Sequence, residues 1–170
     1  DLGDPIAARK ALSDQKRVKV RIEHRRAIAI LIKNWAVVIK SALIGMFTGI
    51  LPGAGGSIAN ILAYDQAKKS AKDNSQFGKG DPRGIIAPET SNNAVEGGAL
   101  TPLMALGIPG DITAAIMLGA LLMHDIVPGP TFISDEPVLS YSIFIAFFLA
   151  NFIMLGMQSG VLRVFVLVTR

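Results

Sequence analysis

Long stretches of this chain carry no charge, and that limits what it can fold into. Positions 41–64 and 137–162 hold no charged residue, and 97–123 hold only Asp111. A helix on a water-soluble core must keep one polar face, so runs of this kind suit hydrocarbon. Half of the 170 residues, 51%, are hydrophobic, which excludes a disordered chain. With no cysteine, a disulfide scaffold, a thiolate metal site and thiol chemistry are excluded as well. The sequence reads as an all-α integral membrane protein, or a piece of one.

The remaining charge is sided. Positions 1–40 hold ten Lys/Arg against four acids, while 41–170 hold seven against nine. Next to an apolar run, the positive-inside rule places residues 1–40 on the cytoplasmic side. A nucleic-acid-binding arm is the alternative for 16–26, but no aromatic residue interleaves those charges as single-strand binding would need. No apolar core opens the chain as a secretory signal would. Both ends read as cut from something longer.

Segment 1–25 reads as a polar basic linker. Over 26–40, Arg26, Lys33 and Lys40 fall seven apart with Trp35 between them. That pattern fits an amphipathic helix lying at the membrane interface, and on periodicity alone it fits the solvated face of an ordinary helix equally. The apolar run 41–51 is too short to span, since a crossing helix needs about 20 residues. It ends in Pro52-Gly53-Ala54-Gly55-Gly56, which cannot continue as helix. Ser57 offers a cap for a second short helix. Segment 41–67 is therefore expected to form a re-entrant hairpin of two half-helices, followed by a polar cytoplasmic loop over 68–83.

Segment 84–124 repeats the theme, with a polar-rich helix, a second break at Gly107-Ile108-Pro109-Gly110, and another short helix that Asp111 or Thr113 can cap. Segment 125–137 has acids without Lys or Arg, as an outer-side loop should. Segment 138–158 is the one complete transmembrane helix, about 31 Å long. The stretch 159–170 reads as a truncated continuation.

Leu51-Pro52-Gly53 and Ile108-Pro109-Gly110 are related by a shift of 57 positions. Paired interruptions of this kind are the best sequence pointer to a secondary-transporter binding site. A broken helix presents unpaired N–H groups, equivalent to roughly half a positive charge, inside the protein. Such an end can hold a carboxylate while unwound carbonyls hold a cation. The plainer alternative is that each Pro-Gly kinks a spanning helix. On the transporter reading the substrate site comprises Gly53, Ala54, Gly55, Gly56, Ser57, Gly110, Asp111 and Thr113. Asp111 could instead only cap its helix, couple a cation or proton, or sit exposed at the rim. The polar run at Ser91, Asn92 and Asn93, with Glu89 nearby, is a candidate cation site; interhelical hydrogen bonding and a position outside the bilayer are its alternatives.

Other motifs fail. Gly53-Ala54-Gly55 lacks the third glycine of a dinucleotide fingerprint, and no lysine follows it to make a P-loop. His24 and His124 stand a hundred positions apart without metal-ligand partners. The four-residue glycine spacings at Gly45/Gly49/Gly53 and Gly156/Gly160 read as helix-packing surfaces.

Several of these residues carry a resemblance. The runs 49–60 (GILPGAGGSIAN), Ala63-Tyr64 with Lys68-Lys69-Ser70, Phe77-Gly78-Lys79-Gly80, 87–94 (APETSNNA), Gly98-Ala99-Leu100, Leu106-Gly107-Ile108-Pro109-Gly110 and Pro128-Gly129-Pro130 are in order and plausibly spaced. Together, over roughly 35–160, they resemble the later portion of the large membrane subunit of the tripartite tricarboxylate transporter family. Thr90-Ser91 stands where that family commonly has two small residues, and Asp111 where a small residue is usual. The resemblance implies a secondary active carrier in the bacterial inner membrane. It would import tricarboxylates or related carboxylates by symport with sodium or protons. Its implied partners are a small membrane subunit and a periplasmic solute-binding protein. No other cofactor, no further metal, no nucleic acid and no catalytic residue is expected. A channel or structural scaffold is the rival class, and a membrane-embedded enzyme a weaker one, since no catalytic pair stands out.

Overall fold

A computed structural model describes residues 23–53 and 55–168. Most of the expected linker, Ala54 at the first glycine tip, and Arg170 fall outside the described residues. Among the described residues every regular element is a helix: α1 (His24–Lys33), α2 (Trp35–Ile50), α3 (Gly55–Lys69), α4 (Arg83–Leu106), α5 (Ile112–Met123), α6 (Phe132–Asp135) and α7 (Pro137–Val168).

The first break comes earlier than the charge pattern suggested. Helices α1 and α2 meet at Asn34 with a bend of 81°, and α2 runs unbroken past Lys40 to Ile50. Asn34 explains the position, because its amide competes for backbone acceptors and donates to the Ile30 carbonyl at 2.8 Å. At 16 residues, α2 is about 24 Å long and falls short of the roughly 30 Å of hydrocarbon. Helix α3 folds back along it, so that Val37 and Ile44 pack with Ala63 and Ala67. The buried face of α3 is Ala59, Ala63 and Ala67, spaced at four. Its first turn begins at Gly55 rather than after Ser57, because positive φ at Gly53 (78°) and Gly55 (59°) turns the chain before Ser57 is reached.

Helix α4 lies against both halves of this hairpin. A Cβ at Gly45 would press on the Ser91 carbonyl and lie 2.9 Å from Ala94 Cβ; one at Gly49 would press on the Val95 carbonyl and lie 3.1 Å from Gly98 Cα. Small residues at four-residue spacing let these backbones touch, as in membrane helix pairs. The 24 residues of α4 continue through Pro88 and Pro102 over about 36 Å. The helix closes at Gly107, where φ is 68°. There the Gly107 N–H donates to Leu103 O at 3.0 Å and the Ile108 N–H to Pro102 O at 3.3 Å, a left-handed glycine cap.

A second cluster joins Ala99, Leu100, Leu103 and Met104 of α4 to Ala114, Phe132, Ile143 and Phe147. The polar loop after α3 is anchored too. Phe77 packs edge-on against Tyr64 with ring centroids 5.7 Å apart, the Arg83 guanidinium stands 5.1 Å over the Phe77 ring, and Arg83 grips the Asp81 carboxylate at 2.6 and 3.0 Å. Within α7, Pro137–Leu162 is long and apolar enough to cross a membrane, and its most apolar window is only 6% buried. A core helix of a soluble protein would be mostly covered, so this one is dressed for lipid or for neighbouring helices.

Candidate functional site: a cleft between two broken helices

The two breaks come together. The Gly53 N–H donates to the Gly110 carbonyl at 3.0 Å. Gly110 is itself buried, and a Cβ there would lie 2.9 Å from Ala99 and press on the Gly49 carbonyl. Only glycine lets the second break reach the first. Ala99 stands sixteen residues into α4, about 24 Å from its start, so the paired breaks sit along the body of that helix.

Beside them opens a cleft of about 770 Å³ lined by Gly53, Gly55, Gly56, Ser57, Asn60, Asn92, Glu96, Gly110, Asp111 and Thr113, with Ile58, Pro109, Ile112 and Ala115. Seven of the eight residues expected to hold substrate line it, and Ala54 lies outside the described residues. The first turns of α3 and α5 both border this space. The first N–H groups of a helix have no intrahelical acceptor, so the cleft faces two partly positive helix ends. Gly53, which precedes α3, adds no free donor, since its N–H is committed to Gly110. Asp111 adopts extended backbone and its Oδ1 accepts the Ala114 N–H at 2.7 Å, which makes it the N-cap of α5.

The candidate cation residues separate. Consecutive helical residues point about 100° apart, so three in a row cannot share a direction. Asn92 faces the cleft. Ser91 is fully buried, and its hydroxyl finds no hydrogen-bond partner. Asn93 is exposed and donates to the Glu89 carbonyl at 2.9 Å.

Two cleft residues were not among the expected site residues. Glu96 lies one turn beyond Asn92, half-buried, where the cleft meets the α4–α5 groove lined by Thr113, Ala114 and Met117. Asn60 faces Asn92 from α3. A spacing of four from Asn92 to Glu96, and from Gly56 to Asn60, was the available signal. Among the described residues that line the cleft, two carboxylates stand and no Lys, Arg or His.

Fold and site together define a helical protein with an apolar, membrane-crossing segment and a polar cleft where two interrupted helices meet. The chain belongs to the tripartite tricarboxylate transporter TctA family, whose model matches residues 4–170. That is a family of membrane transporters rather than enzymes, and it belongs to a tripartite system with partner subunits. The chain is 33% identical over 117 residues to an uncharacterized 52.8 kDa protein in the TAR-I ttuC' 3' region of Agrobacterium vitis, covering 69% of this chain and 23% of that protein. It is 34% identical over 110 residues to an uncharacterized protein in the TAR-II ttuC' 3' region of the same organism, covering 65% of this chain and 46% of that protein. The chain thus spans less than half the length of either relative. No solved structure matches it.

Proposed function

We propose that the chain is part of the carrier subunit of a secondary active transporter that imports tricarboxylates or related carboxylates across the bacterial inner membrane by cation symport. A periplasmic solute-binding protein delivers the substrate, a small membrane subunit completes the complex, and residues 1–40 face the cytoplasm. The α2–α3 hairpin enters and leaves the membrane on that side, with its glycine tip at depth. The observation that carries this reading is the convergence of two half-helix N-termini on one cleft, joined through Gly53 and Gly110. Half-helix ends aimed at an anionic group are the working part of many secondary transporters. The substrate carboxylates meet the free N–H groups of α3 and α5 and the hydroxyls of Ser57 and Thr113. Asn92 serves the cation.

Charge supports symport. Each negative charge entering a negative-inside cell costs about 2.3 kcal/mol per 100 mV, so a dicarboxylate needs at least two cations to enter without that cost. The cleft asks for a cation on its own account, since among its described lining residues Glu96 and Asp111 repel an anion and no basic side chain offsets them. Uptake of a radiolabelled carboxylate panel by the complete complex in proteoliposomes tests the reading. A sodium or proton gradient should drive accumulation above the external concentration, and Ser57→Ala and Thr113→Val should raise the KM. Equilibration without accumulation, or ionic currents beyond carrier turnover, would indicate a channel and refute it.

A further inference from the structure

Asn60 and Asn92 bring two amide groups together inside the cleft, and their orientation has a consequence. With the Asn60 nitrogen toward Asn92 Oδ1 the separation is 3.5 Å, the outer limit of a hydrogen bond, and the Asn60 oxygen is set against two carbonyls. With the amide turned over, its nitrogen donates to Pro88 O and Gly56 O, each at 3.0 Å. Two good hydrogen bonds at about 1 kcal/mol each outweigh one marginal contact. The second orientation therefore holds, and it turns the Asn60 oxygen toward Asn92 Oδ1. Asn92 is exposed and its amide makes no other hydrogen bond among the described residues, so it is free to turn, and a cation between the two amides selects the orientation that presents both oxygens.

With both oxygens turned inward, about 3.5 Å apart, the pair makes half of a cation site. Oxygens lie about 2.3–2.6 Å from a hard ion of calcium's size, and sodium is close to that size. An ion bridging this pair would see them at about 90°, the angle between neighbouring corners of an octahedron. Gly56 keeps the approach open, because a Cβ there would lie 2.6 Å from Asn92 Oδ1. Glu96, one turn along α4 from Asn92, borders the same cleft and supplies negative charge.

We propose that the side-chain oxygens of Asn60 and Asn92 are two ligands of a sodium site that lies beside the helix ends lining the cleft. This rests on the symport reading and deepens it, by naming Asn60 as the partner of Asn92 in place of Ser91 and Asn93. Neutral oxygens suit a monovalent ion, which needs less charge from its ligands than calcium does.

Equilibrium binding of radioactive sodium to the purified complete complex tests the proposal. The wild type should bind sodium saturably, without competition from equal potassium. Asn60→Ala and Asn92→Ala should weaken binding at least tenfold in the folded fraction. Gly56→Ala should weaken it too, although it removes no ligand, because the new methyl displaces Asn92 Oδ1. Asn92→Asp keeps an oxygen, adds a charge and should tighten binding several-fold. If the wild type binds no sodium, the sodium form of the symport reading fails and this site fails with it. If the wild type binds while Asn60→Ala binds equally well, the amide pair alone is wrong. Should the alanine variants not fold, unchanged affinity in Asn92→Asp overturns the assignment.

Discussion

Neighbouring glycines on α4 should respond to the same substitution with opposite sign. A Cβ added at Gly97 meets nothing within 4 Å, whereas one at Gly98 presses on the Met46 carbonyl and lies 3.1 Å from Gly49 Cα. Alanine at position 97 therefore gains helix propensity and restricts the unfolded chain, a stabilisation of about 0.4–1 kcal/mol. Alanine at 98 makes the same local gain but must push α2 away by about 1 Å to reach ordinary contact. Overpacking of that kind costs about 1–3 kcal/mol. The consequence travels along α2, because the Gly53–Gly110 hydrogen bond, 3.0 Å long, hangs just beyond its end. A retreat of about 1 Å takes that bond past its limit and removes about 1 kcal/mol more.

The two variants should thus differ by about 2–4 kcal/mol, although the substitutions are chemically identical and adjacent. Reversible denaturation of the purified membrane subunit in mixed detergent micelles, with SDS as denaturant, measures the difference. Because the damage reaches the paired breaks, the proposed carrier should also lose uptake in Gly98→Ala and keep it in Gly97→Ala. If Gly98→Ala proves as stable as Gly97→Ala, then α2 and α4 are not in backbone contact and the geometry of the cleft is wrong.

Three further outcomes follow from named contacts. Asp111→Ala should cost about 1 kcal/mol as a lost N-cap while Asp111→Asn keeps most of that stability; a drop in uptake for the Asn variant at unchanged stability would show that the charge itself is used. The Arg83 side chain, by hydrogen bonding, holds the Asp81 carboxyl below the usual 3.8, with burial opposing it. Its contribution is therefore complete above pH 3.8 and is lost as pH falls through the lower folded value, so hydrogen-exchange protection over 70–82, taken relative to the intrinsic exchange rate at each pH, should fall in acid for the wild type and show no such fall in Asp81→Asn. Ser91→Ala removes a buried hydroxyl that has no partner and should leave stability unchanged or raise it by about 1 kcal/mol, as read by the same SDS titration.

How much of this was legible in the sequence depended on whether the signal was local. Charge-free runs and Pro-Gly interruptions are local, so the breaks at Gly53 and Gly110 could be placed from residue order. The 57-residue shift between the breaks flagged them as a pair, but nothing in the order of residues said that Gly53 and Gly110 would touch. Contact depends on α2 and α4 approaching through Gly45, Gly49 and Gly98, which is a property of two surfaces at once. Helical phase was the other gap. Ser91, Asn92 and Asn93 look like one cluster in a line of text, yet a rotation of about 100° per residue sends them to three environments. The bend at Asn34 was hidden for a related reason, since Lys33 and Lys40 keep a helical spacing across a break that costs the pattern nothing.

The charge inventory of the cleft bears most directly on how a carrier built this way would couple its ligands. Two carboxylates and two positive helix ends line one space, with no cationic side chain among the described residues that line it. A carboxylate substrate entering alone is drawn by the helix ends and repelled by Glu96 and Asp111. A cation entering alone is drawn by those carboxylates and by the Asn60 and Asn92 oxygens, and repelled by the helix ends. Either ligand improves the site for the other, because each cancels the repulsion that the other meets. Such coupling is reciprocal: the factor by which sodium tightens substrate binding must equal the factor by which substrate tightens sodium. Neutralising Glu96 as Gln should shrink both factors together. A variant that binds the carboxylate more tightly in the absence of sodium, yet has lost the sodium dependence of that binding, would be the signature of coupling through the charge of the cleft rather than through a change of shape.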